Sequence, residues 1–274
     1  MRLELHCHSK YSRGKKIPVE GLDSPADLVK AAKAKGLEGI ALTDHSTHRG
    51  WNEAKEEAKR QGMLFIPAIE ISSLDGHVIG LGLSDYVKSG LPLDETLDAI
   101  RSQGGVSIAV HPFDIRGEGL GAESGKADVI EAFNSMNLDK FSNRLARAFA
   151  KKNGKPCVAG SDAHTKEMIG QCVNLVQAHD LDSALSQIRR GSKFQAGYIP
   201  LGKLLPWVKQ RMALSHNDIL DYMERNYSQP RRWFSERMLC KFISNERAYW
   251  YWLGEAGLAG SRAYGMMKAL NYPL

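Results

Sequence analysis

The sequence has no uninterrupted apolar run approaching the roughly 20 residues that a membrane helix requires. Its opening stretch, MRLELHCH, already carries Arg2, Glu4, His6 and His8, a pattern that no secretory leader tolerates well. Both absences point to a cytoplasmic protein with no membrane partner. Cysteine is scarce: Cys7, Cys157, Cys172 and Cys240 stand far apart with no Cys-x-x-Cys pair, so neither a disulfide scaffold nor a thiolate zinc site is suggested. Internal repeats and low-complexity tracts are also missing. Acidic residues thin out toward the end, where residues 195–274 hold 11 Lys and Arg against 6 Asp and Glu, a surplus of five out of a net charge of +6 for the whole chain.

What is present suits a soluble globule. With 274 residues, 43% hydrophobic and 25% charged, the chain can bury a substantial core as one large α/β domain or as a domain with an appendage. Over residues 1–194, short apolar runs bounded by Gly or polar residues read as buried strands: LEGIALT, MLFIPAIEI, HVIGLGL, GVSIAV, DVIEAF, PCVAG and CVNLV. Helical patterns lie between them. SPADLVKAAKAKG offers Ser24 as N-cap, Pro25 at the first helical position and Gly36 as a stop, and LDETLDAIRSQG and LDKFSNRLARAFAKKNG read alike. Repeated β-α units of this length predict a mostly parallel sheet or a closed barrel, with functional residues at the carboxyl ends of the strands.

Those ends carry the groups that bind metals. His6 and His8 close the first strand, and two residues apart in an extended chain they face one way, with Cys7 opposite as a small buried residue. Asp44 and His45 end the second strand, Glu70 lies on the third, His77 opens the next, and His111 and then Asp162 with His164 end later ones. Each part is a weak signal, but together they describe a site assembled from several strands.

The segments LHCHSKYS, ALTDHST, AIEIS, GHVIGLG, VHP, IEAFN and GSDAH, in this order over about residues 1–195, resemble the polymerase and histidinol phosphatase (PHP) superfamily. The resemblance implies an α/β fold, a distorted (β/α)7 barrel over residues 1–198, holding two or three divalent ions of zinc, manganese or iron and hydrolysing phosphate esters. It implies one ion held by His6, His8, Glu70 and Asp162, a second sharing Glu70 and held by His77 and His111, and a third involving His45 and His164. The family usually supplies a further acid in a YSDG segment, where this chain reads YSRG. Arg13 cannot ligate a cation, so the third site is lost, filled by His45, His164 and water, or completed from elsewhere. Arg13 can instead clamp a substrate phosphate with its forked donors.

Imidazole and carboxylate ligands suit zinc, manganese or iron, and a carboxylate shared by two ions gives the two-metal arrangement of phosphoesterases, with a metal-activated hydroxide as nucleophile. Asp44 is expected either to orient a ligand histidine or to cap the following helix. His48 either reaches substrate or is a solvated loop residue. Asn134 either meets a phosphate or, with Glu131, positions its neighbours, and Lys10 and Arg116 either lend charge to the pocket or are plain surface. His179 and His216 lie away from the strand ends.

Residues 199–274 read as a small all-helical, basic C-terminal domain. Helices are expected from Ser215 as N-cap, through PRRWFSERMLCKFISNERAYWYWL, and again after a glycine break at GEAGLAGSRA, where a hairpin turn between helices is hinted. Four of the five tryptophans fall here, among arginines. They either pack together or grip DNA or RNA by charge and stacking. The expected substrates are nucleotides or nucleic-acid ends, the alternatives being histidinol phosphate or another small monoester, or a degenerate barrel that only binds nucleic acid. If the tail only recruits polymers, deleting residues 200–274 should spare small esters.

Overall fold

The computed structural model describes residues 1–14, 17–244 and 248–270. Among the described residues nine strands, β1 (Arg2–Glu4), β2 (Gly39–Leu42), β3 (Leu64–Ser72), β4 (His77–Leu81), β5 (Val106–Ala109), β6 (Val129–Asn134), β7 (Cys157–Gly160), β8 (Cys172–Leu175) and β9 (Lys193–Ala196), form one sheet ordered β7-β6-β5-β4-β3-β2-β1-β8-β9. Pairing is parallel across β1-β2-β3 and β5-β6-β7, and antiparallel at β3-β4, β4-β5, β1-β8 and β8-β9. The result is the expected distorted barrel, and the antiparallel strands are what distort it.

The two ends of the sheet meet without a backbone ladder. Asn174 of β8 takes the place of a strand neighbour: its Oδ1 accepts from the Ala159 amide of β7 at 3.0 Å and its Nδ2 donates to the Ala159 carbonyl at 2.7 Å. Beyond it Ser192 N donates to Cys157 O at 2.9 Å.

Alternation along the strands sorts side chains to the two faces. On β3, Ile66 and Ala68 join an interior cluster with Leu3, Leu5, Ile79, Leu81, Val106 and Ile108, while Ile69 and Ile71 pack outward. Helix α5 (Leu181–Ile188), started by an Asp180–Ser183 capping box, adds Leu185 and Ile188 to the interior cluster. Met1 and Leu64, at the starts of their strands, pack there too. Apolar residues therefore fill that end of the barrel and leave the opposite end for polar groups. Outside, α1 (Pro25–Ala34) and α2 (Trp51–Gln61) cover one flank, and α3 (Leu93–Ser102) and α4 (Phe141–Lys152) the other. Ser24 caps α1 as expected, accepting from Asp27 N.

The C-terminal region is helical: α6 (Leu201–Leu214), α7 (His216–Asn226), α8 (Gln229–Ser244) and α9 (Tyr249–Leu270). Two sequence expectations are corrected here. Ser215 makes no N-cap bond; it is buried at the end of α6, and its hydroxyl accepts from Val19 N at 3.1 Å. The glycine break and hairpin turn are also absent, because α9 runs unbroken through Gly254, Gly257, Gly260 and Gly265. A glycine inside a helix costs about 1 kcal/mol relative to alanine, but two of these sit where a side chain would collide. A Cβ on Gly254 would lie 3.1 Å from Leu201, and one on Gly265 would lie 2.8 Å from Asp139. Of the four tryptophans, Trp207 and Trp250 are buried, whereas Trp233 and Trp252 are 61% and 77% exposed. No helix among the described residues is long and apolar enough to cross a membrane.

Candidate metal centre

β1 ends at Glu4, and the chain beyond it pairs again only at Cys7, bridged to Ala163. Cys7 faces the outer cluster beside Leu28 and Val29. His6 and His8 point the other way, into a buried polar cluster at the carboxyl end of the barrel. Asp44 fixes the turn that follows: its carboxylate accepts from Ser9 N at 2.6 Å and from Ser9 Oγ at 2.7 Å. It thus orients the chain after His8 rather than an imidazole.

Glu70 is the hub, 1% exposed. Its Oε1 lies 2.9 Å from His77 Nδ1 and 3.1 Å from His111 Nε2, and its Oε2 lies 3.0 Å from His6 Nε2 and 3.2 Å from His8 Nε2. Each oxygen therefore faces its own pair of imidazoles. Asp162 Oδ1 approaches His8 Nε2 at 3.3 Å, His6 Nε2 at 3.6 Å and His164 Nδ1 at 3.7 Å. His45 Nδ1 lies 3.7 Å from Glu70. Every metal-ligand candidate from the sequence is thus brought into one cluster.

Several of these contacts are close without being hydrogen bonds. His8 Nε2, His45 Nδ1, His77 Nδ1 and His111 Nδ1 are buried with no hydrogen-bonding partner among the described residues. The 2.9 Å approach of His77 to Glu70 is therefore out of line for donation, as expected of two groups aimed at a common point. Donors at about 2.0–2.2 Å from a cation and roughly 90–109° apart stand about 3.0–3.5 Å from one another, close to the spacing here. The residues fit a divalent-metal centre.

The carboxylates of Glu70 and Asp162 in this space demand positive charge. Burial alone would raise the pKa of Glu70, but nearby imidazoles, His45 and His6 foremost, hold it well below its ordinary value. Asp162 is likewise driven down by His6 and His8 against its own burial. Burial works in the opposite sense on the imidazoles, but the Asp162 and Glu70 carboxylates facing His8 raise it to about 10. For His45 burial prevails and lowers it to about 4.

Behind the ligands stands Glu131, which the sequence offered only as a residue that positions its neighbours. Its carboxylate accepts from His111 N at 2.7 Å and from Asn134 Nδ2 at 3.0 Å, and pairs with His6 Nδ1 at 2.8 Å. Asn134, fully buried, also donates to Asp162 at 3.2 Å, so both residues position neighbours. The fit admits no substituent: a Cβ on Gly160 would lie 1.9 Å from Glu131 Oε1. His111 and Asp162 adopt positive φ, 31° and 50°, a strained conformation for non-glycine residues that this hydrogen bonding holds. Replacing Glu131 with Ala is expected to weaken divalent-metal binding about 10–100-fold by freeing the His6 ring, measured by titration calorimetry.

The cluster forms the floor of a cleft of about 900 Å³, whose lining includes Arg13, Arg116 and Arg211. Arg116 is tied to Asp114 and Glu118. His48 packs against Trp51 and Tyr86, with ring centroids 5.4 and 6.0 Å apart, and contributes nothing to the cleft lining. His179 is exposed beside Asp180.

Sequence reasoning missed Glu20. Its Oε2 lies 3.3 Å from His45 Nε2 and its Oε1 lies 3.8 Å from His164 Nε2. Ser12 Oγ donates to it at 3.1 Å. Burial opposes its ionisation, yet His164, His45 and His8 keep its pKa far below the usual carboxylate range. The one available signal was that the chain has to return: Arg13 bridges Val19 antiparallel, which brings the next residue, Glu20, back beside the point where Arg13 left.

Comparison with known proteins gives a consistent picture. The PHP-associated family, PHP_C, matches residues 140–192. An uncharacterized protein of Methanocaldococcus jannaschii is 37% identical over 153 residues, 53% of this chain and 89% of its own length. A 5'-3' exoribonuclease of Haemophilus influenzae is 34% identical over 39% of this chain and 38% of its own length, and a 3',5'-nucleoside bisphosphate phosphatase of Chromobacterium violaceum 38% over 30% and 27%. Among solved structures, a two-domain Bacteroides vulgatus protein containing a predicted PHP-like metal-dependent phosphoesterase superposes with a TM-score of 0.56 at 18% identity, covering 76% of this chain and 69% of that one. PsfC of Pseudomonas syringae gives a TM-score of 0.57 at 17% identity, covering 78% and 98%.

Proposed function

The chain belongs to the polymerase and histidinol phosphatase (PHP) superfamily, and from that premise we propose that it is a metal-dependent phosphoesterase. The observation that carries the proposal is Glu70, whose two oxygens each face a different pair of buried imidazoles. In this reading His6, His8, Asp162 and Glu70 hold one divalent ion, and Glu70, His77 and His111 hold a second. Zinc, manganese and iron all suit such donors. When bound, such ions lower the pKa of water to near neutrality and offset charge on the phosphoryl oxygens. The chain's own residues do the rest. Glu131 and Asn134 keep ligand side chains aligned, Asp44 fixes the segment after His8, and Arg13 at the mouth offers a fork of N–H donors to a phosphate.

Nucleotides or nucleic-acid ends are the proposed substrates. Relatives named as an exoribonuclease and a nucleoside bisphosphate phosphatase support this choice, as do the three arginines that line the cleft. In the same proposal residues 1–198 are the catalytic barrel and residues 199–274 a basic helical region that attracts a polyanion. Arg237 lying 4.9 Å over the exposed Trp233 ring supports that role, since such pairs can stack on bases.

The test is phosphate release from nucleotides, from short 5'-phosphorylated oligonucleotides and from histidinol phosphate, after chelation and after restoring Mn²⁺ or Zn²⁺. Turnover of the nucleotide substrates should vanish on chelation and return with metal. Turnover of histidinol phosphate alone would replace the substrate assignment, and no turnover of any would reject the enzyme.

A further inference from the structure

Helix α6 reaches across from the C-terminal region and grips the short segment before Glu20. Trp207 Nε1 donates to the Glu20 carbonyl at 2.8 Å, and Arg211 donates to Val19 O at 2.7 Å and to Ile17 O at 3.3 Å. Ser215 Oγ accepts from Val19 N at 3.1 Å. The segment is thus held by side chains from three successive turns of one helical stretch. Trp207 is itself buried, and its ring packs 4.8 Å from that of His164. The clamp therefore positions both Glu20 and the histidine that faces it.

Glu20 is poorly explained as an ordinary ion-pair partner. Arg211, the nearest cationic side chain, lies 3.8 Å away at its Nη2 and directs its donors to backbone carbonyls instead. The two carboxylate oxygens point at His45 Nε2 and His164 Nε2. His45 stands between two acids, with Nε2 toward Glu20 and Nδ1 toward Glu70. One carboxylate and two imidazoles from three separate segments converge on the cleft, next to the centre organised by Glu70.

We infer that the third divalent-cation site implied by the resemblance, with His45 and His164, takes its acid from Glu20 in place of position 13, and that helix α6 holds that acid in position through Trp207, Arg211 and Ser215. The inference rests on the proposed metal centre and adds to it a ligand and a role for the C-terminal helices. Trp207 and Arg211 are positioning residues: they touch the Glu20 segment and not the cation.

The experiment is Mn²⁺ binding to the chelator-stripped full-length chain, by titration calorimetry and elemental analysis, which needs no substrate. The wild type should bind three equivalents and Glu20→Gln two, with the two remaining affinities unchanged. Trp207→Phe keeps a ring against His164 but removes the N–H to Glu20 O, and should weaken only the third equivalent, by about tenfold. Glu20→Asp, which restores a carboxylate, should recover part of the third equivalent. Three equivalents in Glu20→Gln, or two in the wild type, would overturn the inference while leaving the phosphoesterase intact. An unaltered third affinity in Trp207→Phe would remove α6 from the site, and no binding by the wild type would instead bring down the metal centre as a whole.

Discussion

Glu70→Gln is expected to reduce phosphate-ester hydrolysis by on the order of 10³-fold or more and to leave less than one tightly bound divalent ion per chain. The glutamine has nearly the same shape, so the barrel should persist, and circular dichroism can check this. What changes is charge. Four imidazoles, those of His6, His8, His77 and His111, lie within 3.2 Å of the Glu70 oxygens. A neutral amide turns an N–H toward some of them and offers no shared anion to any. The shared position makes the loss larger than that of a single terminal ligand, because both ions of the proposed pair depend on it. Elemental analysis and a phosphate-release assay would measure the two effects, and a variant that kept two equivalents of metal would show Glu70 to be dispensable.

Trp207→Ala is expected to destabilise the protein by about 3–5 kcal/mol, and deletion of residues 200–274 to abolish hydrolysis of small esters and polymers alike. The physical reason is that α6 is not peripheral. Trp207 is 7% exposed and shares a cluster with Leu28, Ala163 and Ile169 of the barrel. A loss of that size is a large part of the 5–15 kcal/mol by which typical domains are stable. This runs against the expectation drawn from charge and composition alone, that the tail could be removed without harm to small substrates. Denaturant unfolding of the point variant and parallel assays of the truncated chain on a mononucleotide and an oligonucleotide would decide. Full activity of the truncation on the mononucleotide would restore the simpler division of labour.

Much of the barrel and its cluster was legible because both leave local marks. Buried strands are short apolar runs, and a metal-binding group at a strand end is a His, Asp or Glu immediately after such a run, as at His111 and Asp162. Glu20 left no such mark, since it follows no strand and reaches the cluster through the isolated Arg13–Val19 bridge and tertiary contacts with α6. Glu131 was visible as a positioning residue but its partner was not, because only the folded chain brings it against His6, 125 residues away in sequence. The glycines of α9 were misread for a related reason. Glycine normally signals a helix end, but Gly254 and Gly265 lie where α9 presses against Leu201 and Asp139, and there the lack of a side chain is what permits the helix. Asp44 was expected to serve either a histidine or a helix, and its hydrogen bonds go to the Ser9 amide and hydroxyl just after His8.

A cylinder of strands closed all the way round has no preferred place to come apart. This one does. Where β7 meets β8, the side chains of Asn174 and Ser161 do the work that a row of peptide groups does between the other strands. The join is therefore a seam that can part without unpairing any strand from its neighbours on the other side. It runs from Ala159 to Ser161, directly before Asp162 in the chain, so the join borders the rim where the acid and imidazole groups gather.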